Sequence, residues 1–155
     1  MIIRKARLSD LNDIEKIYKT AISALKNAGV DQWQNGTPNA EIAKEDIEND
    51  VSYVAEIDGR VIATAVLYVG TEESYAEIRN GKWLTDSQNY GVIHRIAVHS
   101  DAKKQGVASK IVEKIVQMSK EKSATSVRCD THIDNKIMQK TLDKNKFVYC
   151  GEVTI

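Results

Sequence analysis

Net charge is absent: 22 basic and 22 acidic side chains cancel over 155 residues. That balance removes the broad electrostatic drive toward nucleic acid or an anionic membrane, so any bound anion must be held locally. Long apolar runs are missing as well. The longest, Val61 to Val69, is nine residues with Thr64 within it, far short of the roughly 20 that span a bilayer. The start, Met1-Ile2-Ile3-Arg4-Lys5, has no signal-peptide core. Cysteine is scarce. Cys129 and Cys150 make no disulfide framework, and their strand-like apolar surroundings suggest two small buried thiols in a reducing cytoplasm. Cys129-Asp130-Thr131-His132 groups metal-binding residue types, but no CxxC or HxxxH spacing completes a zinc set, so no metal is expected. Nor does any repeat, low-complexity tract or linker divide the chain, which reads as one domain over 1–155.

What is present is ordinary for a globular protein: 42% hydrophobic and 28% charged residues. Ile2 to Ala6 reads as a short strand. Ser9 is the expected N-cap of a helix carrying Leu11, Ile14, Ile17, Tyr18, Ala21, Ile22 and Leu25 on one face and closed by Gly29. Asn39 caps a second helix running to Asn49, with Ile42, Ala43 and Ile47 inward. Val51–Ile57 and Arg60–Val69 form a hairpin about Asp58-Gly59, because glycine tolerates positive φ. Gly70 to Asn89 is either a long active-site loop or a loop carrying a short strand. Gly91 to His99 follows as a strand with Val92, His94, Ile96 and Val98 in alternation. A third helix spans Lys104 to Lys120, facing inward with Ala108, Ile111, Val112, Ile115 and Val116. Ala124–Asp130 is a strand, Asp134–Asp143 a short helix, and Phe147–Ile155 a closing strand or pair. The expected fold is α+β, α/β-like in its second half: a mixed sheet of about six or seven strands flanked by about four helices.

One junction carries chemistry. Ile96-Ala97-Val98 runs through His99-Ser100-Asp101-Ala102-Lys103-Lys104-Gln105 into a helix opening with Gly106, Val107, Ala108 and Ser109. Small residues admit close backbone approach, and the free amides with the helix dipole favour an anion. Lys103, Lys104 and Lys110 add positive charge at the same end.

This segment resembles the acyl-CoA-binding motif of the GNAT family of N-acetyltransferases, where a strand-ending valine is followed by Gln/Arg-x-x-Gly-x-Gly/Ala. Val98, Lys103, Gly106 and Ala108 match, with Lys103 in place of the planar Gln or Arg. The element order over essentially the whole chain is similar. Asn135 matches an asparagine that commonly contacts the CoA arm, and Phe147 a phenylalanine after the last helix, although Lys146 stands where glycine is usual. The tyrosine that acts as general acid in many members is replaced by Leu142.

The resemblance implies acetyl-CoA as cosubstrate, with its pyrophosphate on amides near Lys104, Gln105, Gly106, Val107, Ala108 and Ser109. It further implies that the pantetheine arm lies along Ile96, Ala97 and Val98. A primary amine of a small molecule or peptide attacks the thioester directly, which calls for a base, an oxyanion donor near Ile96 and a fate for the thiolate. His132, His94, Asp130 and Tyr149 are the candidate catalytic groups. Each also has a structural reading: His94 packed and hydrogen-bonded, Asp130 and His132 capping turns, Tyr149 part of the last strand. Trp33, Trp83, Tyr90 and Asp130 are candidate acceptor contacts, the two indoles as facing walls of one pocket or as plugs at the core edge, with Glu72 and Glu73 nearby in the loop. The expected protein is a cytoplasmic acetyltransferase with no nucleic-acid or membrane partner, whose last strand offers an edge for a homodimer. Leu142 leaves open a rival: a CoA-binding sensor or interaction module of the same fold with weak turnover.

Overall fold

The computed structural model describes residues 1–102 and 106–155. Strand β1 (Ile2–Lys5) leads through a 3-10 turn (Leu8–Asp10) into α1 (Leu11–Asn27), then α2 (Ala40–Glu48). The hairpin β2 (Ser52–Ile57) and β3 (Arg60–Gly70) follows, then a loop holding a 3-10 turn (Glu73–Tyr75), and β4 (Tyr90–Val98). A further turn (Ser100–Ala102), α3 (Val107–Glu121), β5 (Val127–Cys129) and α4 (Lys136–Lys144) complete the order. The sheet runs β1-β2-β3-β4-β5, antiparallel except for the parallel β4–β5 pair. No helix of the described residues is long and apolar enough to cross a membrane.

Two apolar layers sandwich this sheet. Ile14, Ile17, Tyr18 and Ala21 of α1 and Ala43 of α2 bury against Val54 and Ala97 on one face. Val107, Ile111, Val112 and Ile115 of α3 bury against Ala63, Ala65, Leu67 and Ile93 on the other. Period-2 strands meeting period-3.6 helices account for both contacts. The hairpin turn forms as expected, with Asp58 and Gly59 at φ 52° and 79°. Asn39 caps α2 by accepting from the Ile42 amide at 3.0 Å.

Several details depart from expectation. Ser9 caps nothing: it is exposed within the 3-10 turn, and the Asp10 carboxylate organises the corner. Asp10 accepts from the Arg7 amide at 2.7 Å and from Arg4 at 2.8 and 3.0 Å, which hold it below the usual carboxylate range. The charged partner outcompetes a hydroxyl. The sheet has five strands rather than six or seven, because Phe147–Ile155 makes only one antiparallel bridge, Arg79 to Glu152. Val148 and Tyr149 there stay exposed, so the tail buries no alternating face. Cys150 is half-buried rather than fully buried, and Cys129 keeps some exposure as a residue while its thiol is buried.

On α3, Val116 turns outward and Ala108 is half-buried, while Ser119 takes the interior place. The reason lies opposite. A Cβ on Gly91 of β4 would sit 2.4 Å from Ser119 Oγ and 2.9 Å from its Cβ. Only glycine permits α3 to approach β4 this closely. Gly91→Ala is expected to destabilise the fold by about 1–3 kcal/mol through overpacking. Thermal melts check this, and Ser119→Gly should recover most of the loss.

Candidate active site

Strand β4 leaves its neighbour halfway along. Pairing with β5 covers Gly91–Val127, Val92–Arg128 and Ile93–Cys129 and then stops, while β4 continues to Val98. On the β3 side, Val66 pairs with His94 but Thr64 with Ala97, so that Arg95 and Ile96 of β4 stand against Ala65 alone on β3. This bulge centres on Arg95, at φ 48°. It overturns the expected alternation: Ile96 and Val98 pack toward α3 with Ile93, whereas His94 shares its face with Val66, Thr64 and Ala97. Among the described residues the backbone around Ile96, Ala97 and Val98 consequently has an edge with no strand beside it.

Below this gap α3 begins. Gly106 is left-handed (φ 71°, ψ 18°), and among the described residues no side chain caps the helix and the first amide to bond back is Lys110 to the Gly106 carbonyl at 3.1 Å. The amides of Val107, Ala108 and Ser109 thus have no intrahelical acceptor. A Cβ at Gly106 would meet nothing within 4 Å. Lys103, Lys104 and Gln105 lie outside the described residues.

On the α1/α2 face the polar groups converge on His94. Its Nε2 lies 3.0 Å from Glu72 Oε1 and 3.3 Å from the Tyr68 hydroxyl, which itself donates to Glu72 Oε1 at 3.1 Å. Glu72 Oε2 accepts from the Ser74 amide at 2.8 Å. Burial works to raise the Glu72 pKa, but the Ser74, His94 and Tyr68 hydrogen bonds prevail and hold it below its ordinary value. An ionised carboxylate only accepts, so Nε2 carries the proton of neutral His94 and Nδ1 is left as its lone pair. Nδ1 has no protein partner among the described residues.

Asp130, at the end of β5, accepts from the Tyr75 hydroxyl at 2.5 Å. Burial first, then the Asp130 charge, drive the Tyr75 phenol far above its ordinary value, so it remains a donor. Tyr75 packs 6.4 Å from the His94 ring, centroid to centroid, and links the two groups through one buried side chain. Tyr90 is buried and its hydroxyl accepts from the Glu72 amide at 2.9 Å. Arg128 stacks 3.9 Å from the Tyr90 ring centroid and 4.4 Å from that of Trp83. The Trp83 indole donates to the Tyr75 carbonyl at 2.9 Å. Trp83 and Tyr90 therefore hold the 70–89 loop that presents Glu72.

The remaining candidates sit apart from this cluster. His132 Nδ1 accepts from the Asp134 amide at 3.1 Å, organising the turn into α4. Asn135 caps α4 by accepting from Met138 at 3.1 Å and donates to Gln32 Oε1 at 2.8 Å. Tyr149 is 76% exposed with no side-chain hydrogen bond among the described residues. Lys146, where glycine was usual, takes the left-handed conformation at φ 65°. Burial and the Asp130 charge push the Cys129 thiol up to about 12, which removes it as a nucleophile near neutral pH. The two tryptophans do not face each other. Trp33 (φ 64°) lines a cavity of about 440 Å³ with Tyr18, Ile22, Pro38, Glu15 and Glu41. Trp83 lines another, of about 520 Å³, with Val116, Phe147 and Cys150.

Sequence reasoning missed Tyr68, Tyr75 and the Asp46–Arg95 pair. Tyr68 was accessible from alternation on β3, two residues beyond Val66. Nothing in the spacing marked the bulge that turns Arg95 to the same face as His94.

Comparison with known proteins agrees with this geometry. The chain superposes on a GNAT-family acetyltransferase from Streptococcus agalactiae 2603 with a TM-score of 0.93 and 33% identity, covering 99% of this chain and 88% of that one. An aminoglycoside 6'-N-acetyltransferase from Acinetobacter haemolyticus shares the fold at 18% identity (TM-score 0.70; 100% and 96% covered). So does a predicted acetyltransferase from Clostridium acetobutylicum, solved with acetyl-CoA, at 16% identity (TM-score 0.68; 99% and 94% covered). A sequence search among curated proteins finds no match. The profile of the Acetyltransferase (GNAT) family matches residues 12–147, and with the split between β4 and β5 and the glycine-opened α3, this chain belongs to that family.

Proposed function

We propose that the protein transfers an acetyl group from acetyl-CoA to a primary amine of a small molecule or peptide, with His94 as general base. The observation that carries this reading is the Glu72–His94 contact at 3.0 Å, facing the end of the gap between β4 and β5.

The chain's own groups fit such a cosubstrate. Three amides at the start of α3 with no partner among the described residues, opened by a left-handed Gly106 whose Cβ position meets no described atom within 4 Å, suit a pyrophosphate. The unpartnered edge of β4 from Ile96 to Val98 suits an extended amide-bearing arm lying as an added strand. Acetyl-CoA supplies the activated thioester when bound. His94 Nδ1 takes the proton of the incoming ammonium, and Glu72 stabilises the resulting imidazolium through Nε2–H. The amine nitrogen bonds to the carbonyl carbon, the carbon–sulfur bond breaks with its electron pair going to sulfur, and the second nitrogen proton, made acidic by the new bond, is lost to solvent. Leu142 cannot donate a proton to it. A thiol of ordinary pKa, about 8.5, leaves as thiolate without prohibitive cost near neutral pH. His132 is committed to the α4 turn and Tyr149 to solvent, so neither is assigned the acid role.

Two expected outcomes test this. His94→Gln should lower kcat about 10²- to 10⁴-fold with the acetyl-CoA KM little changed, whereas His132→Ala should change kcat less than about threefold. Thiol release at saturating acetyl-CoA measures both. Native turnover in His94→Gln removes the base assignment, and CoA binding without turnover of any amine by wild type supports the sensor reading instead. For the cofactor side, Gly106→Ala should weaken CoA by about tenfold in calorimetry, since its methyl enters the space over the helix amides. The positive φ costs that variant about 1–2 kcal/mol of stability, so its fold is confirmed by melting before titration. Unchanged affinity would place the pyrophosphate elsewhere.

A further inference from the structure

In an unbroken strand, His94 and Arg95 would point to opposite faces of the sheet. The bulge puts both on the α1/α2 face, His94 bonded to Glu72 and Arg95 to Asp46. A base and a guanidinium therefore stand side by side at the mouth of the gap.

Arg95 has donors to spare. Its Nε and Nη2 donate to the buried Asp46 carboxylate at 2.8 and 2.7 Å, while Nη1 has no protein partner among the described residues. The Arg95 side chain remains 28% exposed. Tyr18, whose ring stacks edge-on against Trp33 at 6.1 Å, lies in the field of the Arg95–Asp46 pair. Its hydroxyl also has no hydrogen bond among the described residues. Burial, only partly offset by Arg95, holds that phenol far above its ordinary value, so it stays a donor. Arg95 and Trp33 both occupy the left-handed region, at φ 48° and 64°. Such backbone strain persists only where the surroundings enforce it and concentrates at functional sites.

The flank beyond His94 has the opposite character, with the carboxylates of Glu72 and Asp130. A polycation has nothing to offer the unfilled donors of Arg95 and Tyr18. We infer that the acceptor is a zwitterionic amine of the amino-acid type, its amine facing His94 and Glu72 and its carboxylate taken by Arg95 Nη1 and the Tyr18 hydroxyl. The inference rests on the transferase reading above and names its substrate class. The cavity that Tyr18 also lines has an apolar wall of Trp33, Ile22 and Pro38 with Glu15, Lys19 and Glu41 at its polar side, and that wall suits the apolar or aromatic part of a side chain.

The test compares amino acids bearing apolar side chains with their carboxamides and their decarboxylated amines. Turnover is measured at saturating acetyl-CoA, and binding by calorimetry with CoA present. Wild type should prefer the carboxylate about 10- to 100-fold in kcat/KM, the worth of hydrogen bonds to a charged group. Tyr18→Phe, which keeps the packed ring, should shrink that ratio while leaving the decarboxylated amine nearly unaffected. Arg95→Gln should abolish the ratio; because it strands Asp46, its fold is checked by melting, and Tyr18→Phe carries the test if it unfolds. Carboxylate-selective binding without turnover sustains the inference and removes the transferase reading instead. Equal handling of acid and carboxamide, or no binding of any carboxylated amine in the series, overturns it.

Discussion

Between the pairs Val66–His94 and Thr64–Ala97, β4 carries one residue more than β3, and the Arg95 guanidinium absorbs the consequence by reaching Asp46 on α2. Burial works against that cation, but the two hydrogen bonds and the charge of Asp46 raise its pKa and keep it ionised. Asp46 is itself buried. Removing either partner would strand the other at a cost of about 3–5 kcal/mol, so the pair clamps the bulge against α2. Three properties of the site follow: β4 bends away from β5, Ile96 and Val98 leave the face that His94 shares with Val92, and Arg95 arrives beside His94.

Glu72 is the second element of preorganisation. It sits in the loop after β3, a place where mobility would be the default. Here the loop is packed. Tyr75, Tyr90 and Val92 form a small third core, with Trp83 against it and Arg128 stacked on the aromatic rings. The Tyr90 hydroxyl receives the Glu72 amide and the Ser74 amide reaches its carboxylate. The carboxylate that orients His94 is thereby fixed by a rigid aromatic platform, which lowers the reorganisation needed at the moment of proton transfer.

Periodicity exposed most of the architecture. The inward faces of α1 and α3, the hairpin at Asp58-Gly59 and the cap at Asn39 follow from local patterns that tertiary packing did not override. The glycine at the mouth of α3 was legible for the same reason, since φ and steric access are local properties. What could not be read depends on counting across strands. A bulge is a mismatch between two segments, so His94 looked in phase with Ile96 until the register with β3 was known. Long-range partners were equally hidden: Asp46–Arg95 spans two elements, and Tyr75–Asp130 joins a loop to a distant strand. The tail after Lys146 alternated like a strand but had no face to bury, which is why the sheet stops at five.

Neutral His94, in this arrangement, carries its proton on Nε2, held by Glu72, and presents a bare Nδ1. Nitrogen-15 NMR of the imidazole reads this directly in the resting protein. At alkaline pH wild type should show the Nε2–H tautomer, and Glu72→Ala a mixed tautomer population. A His94 ring protonated on Nδ1, or a tautomer mixture in wild type that Glu72→Ala does not change, would contradict it.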